Sequence, residues 1–230
     1  MSILRNKNNG WVKYWQDRVS TGGNYYGKKT YSADRIIKIL NIQKNDTVLD
    51  IGCAKGAHLT DIKDKTKAKC YGIDISSIAI SLNTDKRIAL KVADMEKTGY
   101  KENKFTKVFS LGTFEHTPRS LSVFKELNRI MKKDGVALIT VPNKYAFNHI
   151  TKNIKMVIGT WDLGYERSFT RGELRRIFAR SGFKLEKYWV DPHIQVANVF
   201  NYMDNRLNKI NNKHFGFFVY TVLRKVENVH

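Results

Sequence analysis

The sequence contains little cysteine and proline and has no long apolar run. Its two cysteines, Cys53 and Cys70, form neither a C-x-x-C pair nor a cluster with histidine, so no metal site is predicted. No stretch approaches the roughly 20 apolar residues that cross a bilayer, and the polar N-terminus lacks the apolar core of a secretory signal. These absences lead us to expect a cytoplasmic protein with reduced thiols.

Acidic residues are also scarce, because 41 Lys and Arg outnumber 21 Asp and Glu and give a net charge of +20. Such a balance favours a nucleic-acid partner, since neutralised phosphates release counterions. The excess is nevertheless spread along the chain, at +6, +6 and +8 over residues 1–47, 48–141 and 142–230. One local concentration, here called the arginine cluster, consists of Arg167, Arg171, Arg175, Arg176 and Arg180. It fits either a solvated helix face or a dock for an anionic acceptor.

The most informative stretch is residues 48–57, where an apolar strand meets an acidic residue and then turns through glycines into a helix. Gly52 allows a positive φ and a close approach of a ligand to the backbone. Gly56 allows the helix to pack closely on the strand. A helix N-terminus favours an anionic group such as a carboxylate. Asp50 at the strand end opposes a phosphate, so the stretch indicates a nucleotide-sized ligand with a cationic portion.

Two other nucleotide motifs fit these glycines less well. A dinucleotide-binding turn requires G-x-G-x-x-G, but Ala54 stands between Gly52 and Gly56. A P-loop requires a hydroxyl after its lysine, but in the glycine-rich run 22–28 the next residue is Lys29.

The pattern Asp50-x-Gly52-x-x-x-Gly56 resembles motif I of the class I S-adenosylmethionine-dependent methyltransferases. Ala54 replaces the middle glycine of that motif, and alanine is the mildest replacement. One short glycine motif is weak evidence for a family, so the assignment depends on the landmarks that follow it.

Those landmarks come in the order that the family implies. A second apolar strand ends in Asp74, whose carboxylate the resemblance assigns to the ribose hydroxyls. A third ends in Asp94 and Met95, for the adenine amino group and ring face. A fourth leads to Glu115 and His116, which resemble the family's Glu-His segment after that strand.

The resemblance implies an α/β fold: a Rossmann-like, doubly wound, mostly parallel seven-stranded sheet with an antiparallel last strand. The predicted strands are residues 48–51, 70–76, 88–95, 105–112, 136–143, 183–190 and 215–223. An amphipathic helix before the fifth strand shows on one face Leu121, Phe124, Leu127, Ile130 and Met131, and is expected to close at Lys132, Lys133 and Gly135. The predicted S-adenosylmethionine-binding residues are Asp50, Gly52, Cys53, Gly56, Asp74, Ile75, Asp94, Met95 and Leu111.

A capping box is predicted at Thr170 and Glu173, at the start of a helix that stops at Gly182. This segment resembles the small-molecule branch of the family, which includes quinone-biosynthesis methyltransferases. We expect a single methyltransferase domain over 1–230, with its cofactor-binding core at 45–141 and acceptor-side segments and last strands at 142–230.

The aromatic-rich segment 1–31 is interpreted either as a lid over the ligand or as packing on the sheet edge. His116 is the best-placed general base, because it follows the fourth strand at the carboxyl edge of the sheet. A structural role under the cofactor is the alternative. His149 and His193 are weaker candidates from segments that would overhang the site.

The predicted function is methyl transfer to a small, lipid-linked or sugar-linked acceptor, most readily at oxygen or carbon, and that acceptor could be anionic. One alternative is an RNA methyltransferase, favoured by the charge but by no appended RNA-binding module. The other is an inactive cofactor-binding subunit that supports a partner. The acceptor and the oligomeric state stay open.

Overall fold

The computed structural model describes residues 32–146, 158, 165–191, 199–210 and 214–226. The predicted lid at 1–31, His149 and His193 lie outside the described residues. The strands are β1 (Thr47–Ile51), β2 (Lys69–Asp74), β3 (Ala89–Val92), β4 (Phe105–Leu111), β5 (Met131–Pro142), β6 (Phe183–Asp191) and β7 (Phe218–Lys225). The helices are α1 (Ala33–Leu40), α2 (Ala57–Thr66), α3 (Ser77–Ser81), α4 (Ser120–Ile130), α5 (Arg171–Arg180) and α6 (Val199–Ile210), with a 3₁₀ turn at Phe114–His116.

The seven strands form one sheet in the order β3-β2-β1-β4-β5-β7-β6. Parallel pairs join β3 through β5, whereas β7 runs antiparallel to both β5 and β6. The predicted fold class, with its antiparallel last strand, is therefore confirmed. The strand order reverses between β1 and β4, and in such sheets ligands bind at the carboxyl ends of the strands beside that reversal.

Apolar side chains fill both faces of the sheet. One face packs against α4 and α5 through residues such as Phe124, Leu127 and Phe178. The other packs against α1 and α2, with Ile36 and Leu59 fully buried. Burial on both faces explains why the parallel strands are almost continuously apolar. The motifs of the sequence do not predict α1 or α6.

The end of α4 differs from the prediction. The helix stops at Ile130, and Met131 opens β5, where it pairs with Phe105 instead of extending the helix face to Lys132, Lys133 and Gly135. The physical reason comes from the far end of the chain. The buried Lys225 ammonium donates to the carbonyl oxygens of Asn128 and Met131, both at 2.8 Å, and so satisfies carbonyls at the helix end. β3 is also shorter than predicted.

The predicted capping box is present at α5. The Thr170 hydroxyl accepts a hydrogen bond from the Glu173 N–H, and the Glu173 carboxylate accepts one from the Thr170 N–H. Arg180 ends the helix, and Gly182 follows with a φ of 72°. This local geometry was predictable because all of its partners lie within a few residues of one another.

Candidate active site

Gly52 begins the loop that follows β1, and its position admits no side chain. Its φ is 82°, and its N–H donates to the Ile73 carbonyl at 2.8 Å. A Cβ built on Gly52 would lie 2.1 Å from Thr113 Oγ1. The loop therefore holds bare backbone at the reversal of strand order, where β1 and β4 end side by side.

Gly56 and Ala54 complete the turn into α2. Gly56 is the N-cap of α2 with a φ of 81°, and a Cβ there would lie 2.8 Å from Ile88 Cδ1. Ala54 also has a positive φ, 48°, although it carries a Cβ. The alanine that replaces the family's middle glycine therefore keeps a left-handed backbone, at a cost of about 1–2 kcal/mol.

Asp50 lies within the carboxyl end of β1 and is only 4% exposed. Among the described residues, no hydrogen bond to its carboxylate is found. Burial raises the pKa of the Asp50 carboxyl well above its usual range, and the nearby charge of Asp74 raises it further. A buried carboxylate without donors is costly, so this position suits a ligand that brings positive charge or hydrogen-bond donors.

Asp74 ends β2 and accepts hydrogen bonds from the backbone around it. Its Oδ2 accepts from the Ala54 N–H at 2.8 Å, and its Oδ1 accepts from the Ser76 N–H at 2.9 Å. Burial raises the pKa of Asp74, while these backbone donors and the Ile75 N–H oppose the shift. Asp74 thus ties the end of β2 to the glycine loop. A carboxylate offers about four acceptor positions, so capacity for ribose hydroxyls remains.

The other predicted cofactor residues lie along the same edge, in different settings. Asp94 Oδ1 accepts from the Glu96 N–H at 2.8 Å, and Met95 packs partly against the main core. Ile75 is 37% exposed at the end of β2, as a side chain that covers an adenine ring would be. Leu111 ends β4 and is half-buried.

Cys53 contributes to packing within the loop. It is buried, and its Sγ would lie 2.6 Å from a Cβ built on Gly72, so the thiol fills the space above that glycine. Burial raises the pKa of the Cys53 thiol, with smaller contributions from the charges of Asp50 and Asp74. The backbone of Cys53 is also engaged, since its N–H donates to the Ile73 carbonyl and its carbonyl accepts from the Gly56 N–H. Cys53 therefore stabilises the loop, and its predicted contact with the cofactor stays a prediction.

His116 closes the 3₁₀ turn after β4 and lies 3.1 Å, through Nδ1, from the Tyr165 carbonyl oxygen. A carbonyl oxygen only accepts hydrogen bonds, so Nδ1 carries a proton, and in the neutral imidazole the lone pair is on Nε2. The same strip of chain is fixed again where the Arg167 N–H donates to the Glu115 carbonyl. A histidine with a structural role would make the same backbone contact. The contact also selects the neutral tautomer that a general base at Nε2 requires.

Two residues that sequence reasoning missed, Thr113 and Glu96, belong to this edge. Glu96 accepts hydrogen bonds from Thr117 Oγ1 at 2.6 Å and from Arg119 Nε at 2.7 Å. It therefore links the turn of Asp94 to the segment that carries His116. No local pattern could have revealed a contact between side chains 21 positions apart.

The arginine cluster divides into separate environments. Arg167 pairs with Glu173 at 3.2 Å and covers the Phe169 ring, whereas Arg171 lies 4.8 Å from the Tyr188 ring centroid. The remaining cluster members, Arg175, Arg176 and Arg180, are exposed on α5. Arg167 is thus tied to the start of α5, whereas the other four arginines, Arg171 among them, stay exposed on that helix.

The described ranges contain no group of three or more His, Cys, Asp and Glu side chains that could hold a metal ion. In the same ranges, no helix is both long and apolar enough to span a membrane. Both cysteines are free thiols.

The edge fits S-adenosylmethionine in three observable respects. Positive-φ glycines leave space at the backbone, the buried Asp50 and half-buried Asp74 carboxylates have no basic partner among the described residues, and these acids stand at or near the ends of the neighbouring strands β1 and β2. A cationic cofactor with a ribose matches that chemistry. A phosphate-bearing dinucleotide would place negative charge against Asp50.

A methyltransferase domain family matches residues 25–188. Because the match covers most of the chain, the protein belongs to that family. This finding confirms the class predicted from sequence, an S-adenosylmethionine-dependent class I methyltransferase.

Curated relatives diverge in what they methylate. An uncharacterised protein of Methanocaldococcus jannaschii is 31% identical over 62% of this chain and 56% of its own length. Phosphoethanolamine N-methyltransferase 2 of Caenorhabditis elegans is 29% identical over 48% of this chain and 28% of its own. The 27-O-demethylrifamycin SV methyltransferase of Amycolatopsis mediterranei is 25% identical over 53% and 47%. The chain thus spans from about a quarter to just over half of the first curated relatives it matches.

Solved structures agree on the fold. A Haloferax volcanii complex between the Trm112 methyltransferase activator and a methyltransferase aligns with a TM-score of 0.69 at 15% identity, covering 98% of this chain and 99% of that one. The Haemonchus contortus phosphoethanolamine N-methyltransferase 2, bound to phosphomonomethylethanolamine and S-adenosylhomocysteine, aligns at 0.64 and 15%, covering 85% and 52%. At these identities the likeness concerns the fold alone.

Proposed function

We propose that this protein transfers a methyl group from S-adenosylmethionine to a small-molecule acceptor, at an oxygen or carbon atom. One observation carries the proposal: the buried carboxylate of Asp50, the half-buried carboxylate of Asp74 and the imidazole of His116 are positioned by strands that end at the same edge of the sheet. The two carboxylates suit the methyl donor, and the histidine suits proton removal from the methyl acceptor.

S-adenosylmethionine, when bound, supplies a methyl group that is already electrophilic, so the chain's own residues need only hold and align. Gly52 and Gly56 keep the loop open for close contact with backbone. Asp50 offers negative charge to the cationic portion of the ligand, and Asp74 offers acceptor positions to its ribose hydroxyls. Alignment of this kind is worth about 7–11 kcal/mol of the barrier.

His116 is proposed to accept the acceptor's proton through Nε2. Its tautomer is set by the Tyr165 carbonyl, which holds the Nδ1 proton. The contact also fixes the ring on the 3₁₀ turn directly after β4. General-base catalysis typically contributes about 10²- to 10⁴-fold.

A small acceptor is supported by the relatives, whose names include a phosphoethanolamine N-methyltransferase, a 27-O-demethylrifamycin SV methyltransferase and a sterol 24-C-methyltransferase. Two exposed aromatic side chains follow β5 along the chain: Tyr165, whose carbonyl contacts His116, at 40% exposure, and Tyr145 at 52%. Such rings suit contact with an organic acceptor, which could be lipid-linked or sugar-linked.

The test is methyl transfer from labelled S-adenosylmethionine into a fractionated cell extract, with lipid, glycan, RNA and small-molecule pools counted separately. Label in a small-molecule, lipid or glycan pool, on oxygen or carbon, supports the proposal. Label in RNA, or on nitrogen alone, overturns it. Tight S-adenosylhomocysteine binding without transfer into any pool would favour the inactive partner subunit.

The cofactor assignment has a separate test. Asp74→Ala should weaken S-adenosylhomocysteine binding by calorimetry, whereas Asp64→Ala, on an exposed position of α2, should not. Unchanged affinity in Asp74→Ala would show that the ribose is held elsewhere.

A further inference from the structure

The face of the sheet over β2 and β3 is covered differently from the rest. Residues 93–104, which connect β3 to β4, contain no helix. Parallel sheets are ordinarily covered by helices on both faces. Here Tyr71 and Tyr100 pack at the margin of the core in place of a helix, and Ala89, the partner of Tyr71 on β3, is exposed.

Three aromatic rings form a rigid base at this position. Tyr71, Tyr100 and Phe105 meet edge to face in all three pairs, with centroid distances of 6.2, 5.6 and 4.9 Å. Such T-shaped contacts are a preferred geometry of aromatic pairs. Phe105 is fully buried, so the group is anchored to the core on one side.

Two ammonium groups converge on these rings. Lys91 Nζ lies 4.1 Å from the Tyr100 centroid, and Lys104 Nζ lies 4.3 Å from the same centroid and 3.9 Å from that of Tyr71. The two Nζ atoms are therefore at most about 8.4 Å apart, which is the sum of their distances to the Tyr100 centroid. The five residues Tyr71, Tyr100, Phe105, Lys91 and Lys104 are called the lysine–tyrosine cluster below.

No carboxylate neutralises either ammonium among the residues that the structure describes. Of the nearby acids, Glu96 pairs with Arg119 and Thr117, and Glu126 pairs with Arg129 and Thr98. Glu102, on the same connection, is exposed, and its charge acts on Arg129 and Lys225. Burial lowers the pKa of the Lys104 ammonium, and the charge of Lys91 lowers it further. Two like charges thus share a partly desolvated position.

We propose that the lysine–tyrosine cluster is a binding site for a phosphate group, which Lys91 and Lys104 grip together above the aromatic base. Hydrogen bonds between an ammonium and an oxyanion run about 2.7–2.9 Å. The site therefore requires both nitrogens on the same side of the Tyr100 ring, where each donates to a different oxygen of one phosphate. Its charge would remove the repulsion between the lysines. The site is distinct from the cofactor edge, where the unmatched charge is negative.

The experiment is calorimetric titration with inorganic phosphate and, separately, glycerol phosphate, at fixed ionic strength and with S-adenosylhomocysteine saturating the cofactor edge. Lys91→Met and Lys104→Met keep the aliphatic stem but remove the charge. Each is expected to weaken phosphate binding at least about tenfold, the loss of one charge-assisted hydrogen bond. The matched control Lys101→Met, on the same connection and exposed, and the charge-keeping Lys104→Arg should bind within a few-fold of the wild type.

Binding to glycerol phosphate but not to inorganic phosphate would identify an esterified headgroup as the source, and equal binding would identify the phosphate group alone. Unchanged affinity in the double methionine variant, or no saturable binding of either probe, overturns the proposal. Binding only of a single-stranded oligonucleotide would also overturn it in favour of a nucleic-acid surface.

If a methionine variant fails to fold, the proposal can still be tested on the wild-type protein. In the wild-type protein, phosphate should slow reductive methylation of Lys91 and Lys104 relative to Lys101, as read by peptide mass spectrometry. Equal rates at all three lysines with phosphate present would contradict the site.

Discussion

Two regions of this molecule, one strand apart, carry unmatched charge of opposite sign. At the carboxyl edge, Asp50 is buried and Asp74 is half-buried, and desolvation raises the pKa of both carboxyls. On the face of β3, which pairs with β2, Lys91 and Lys104 share an aromatic base, and burial lowers the pKa of Lys104. In both regions, burial therefore disfavours the charged form: the carboxylate of Asp50 and Asp74, and the ammonium of Lys104.

The difference teaches how little the overall charge says about a binding site. A protein of net charge +20 keeps its cofactor edge acidic, because the local residues and their burial decide the potential there. The acidic region is encoded by short motifs, each of which lies at the end of one strand. The basic region requires residues from β2, β3, the connection and β4.

Gly52→Ala should have the largest effect. The new Cβ would meet Thr113 Oγ1 at 2.1 Å and would sit on a backbone with a φ of 82°. Overpacking and left-handed strain each cost about 1–3 kcal/mol, so cofactor affinity should fall by about a hundredfold or more. Calorimetry with S-adenosylhomocysteine measures it. Gly172→Ala, whose Cβ would meet nothing within 4 Å, is the matched control and should bind normally.

His116→Asn should lower kcat by about 10²- to 10⁴-fold, once an acceptor is in hand, with cofactor affinity unchanged. Asparagine can keep the hydrogen bond to the Tyr165 carbonyl but has no equivalent of the Nε2 lone pair. The variant therefore separates positioning from proton transfer. Wild-type kcat in His116→Asn, together with a fall in His116→Ala, would leave His116 a structural role only.

Asp50→Asn should weaken S-adenosylmethionine binding by about 10- to 100-fold, since hydrogen bonds to charged groups contribute about 1.5–3 kcal/mol. The same change should stabilise the ligand-free protein at neutral pH, because it removes a buried charge. Asp61→Asn, exposed on α2, is the control. Equal melting temperature and equal affinity in Asp50→Asn and wild type would contradict the charge argument.

The pH dependence of that stability has a definite sign. Because the pKa of Asp50 is raised in the folded protein, the folded state holds this proton more tightly than the unfolded chain does. The stabilising contribution is present at pH below the unfolded value near 4 and is lost as pH rises through the folded pKa. Urea unfolding across this range should show the advantage of Asp50→Asn growing with pH. A constant difference would be inconsistent with the raised pKa.

Ala54→Gly should have the smallest effect. Its φ of 48° costs an alanine about 1–2 kcal/mol that a glycine does not bear, partly offset by the greater entropy of glycine in the unfolded chain. A rise in melting temperature of a few degrees is expected. Cofactor affinity should change less than about threefold. A lower melting temperature would show that the alanine methyl group contributes packing that outweighs the strain.

Much of the fold was predictable because its signals are local. The apolar runs that became β1, β4 and β6, the glycines of the first loop and the capping box at Thr170 each depend on neighbours within a few positions. The end of α4 was predicted wrongly for the opposite reason. Its carbonyls are satisfied by Lys225, from the last strand of the sheet.

The candidate site divides in the same way. The sequence placed acids at the ends of successive strands, and their assignment to S-adenosylmethionine stays a prediction. It could not place Thr113 over Gly52 or link Glu96 to Thr117, because both contacts join side chains brought together only by the sheet. The arginine cluster, which looked like one feature, has its members in different surroundings.

By itself, the sequence determined the class of this protein, since the glycine loop and each acidic strand end that follows it in order are encoded within short stretches of the chain. Only the tertiary structure decided which charges stay unmatched. Burial and long-range partners set the energy of each ionised group, and neither is visible along the chain. The acidic edge and the lysine–tyrosine cluster are products of that packing.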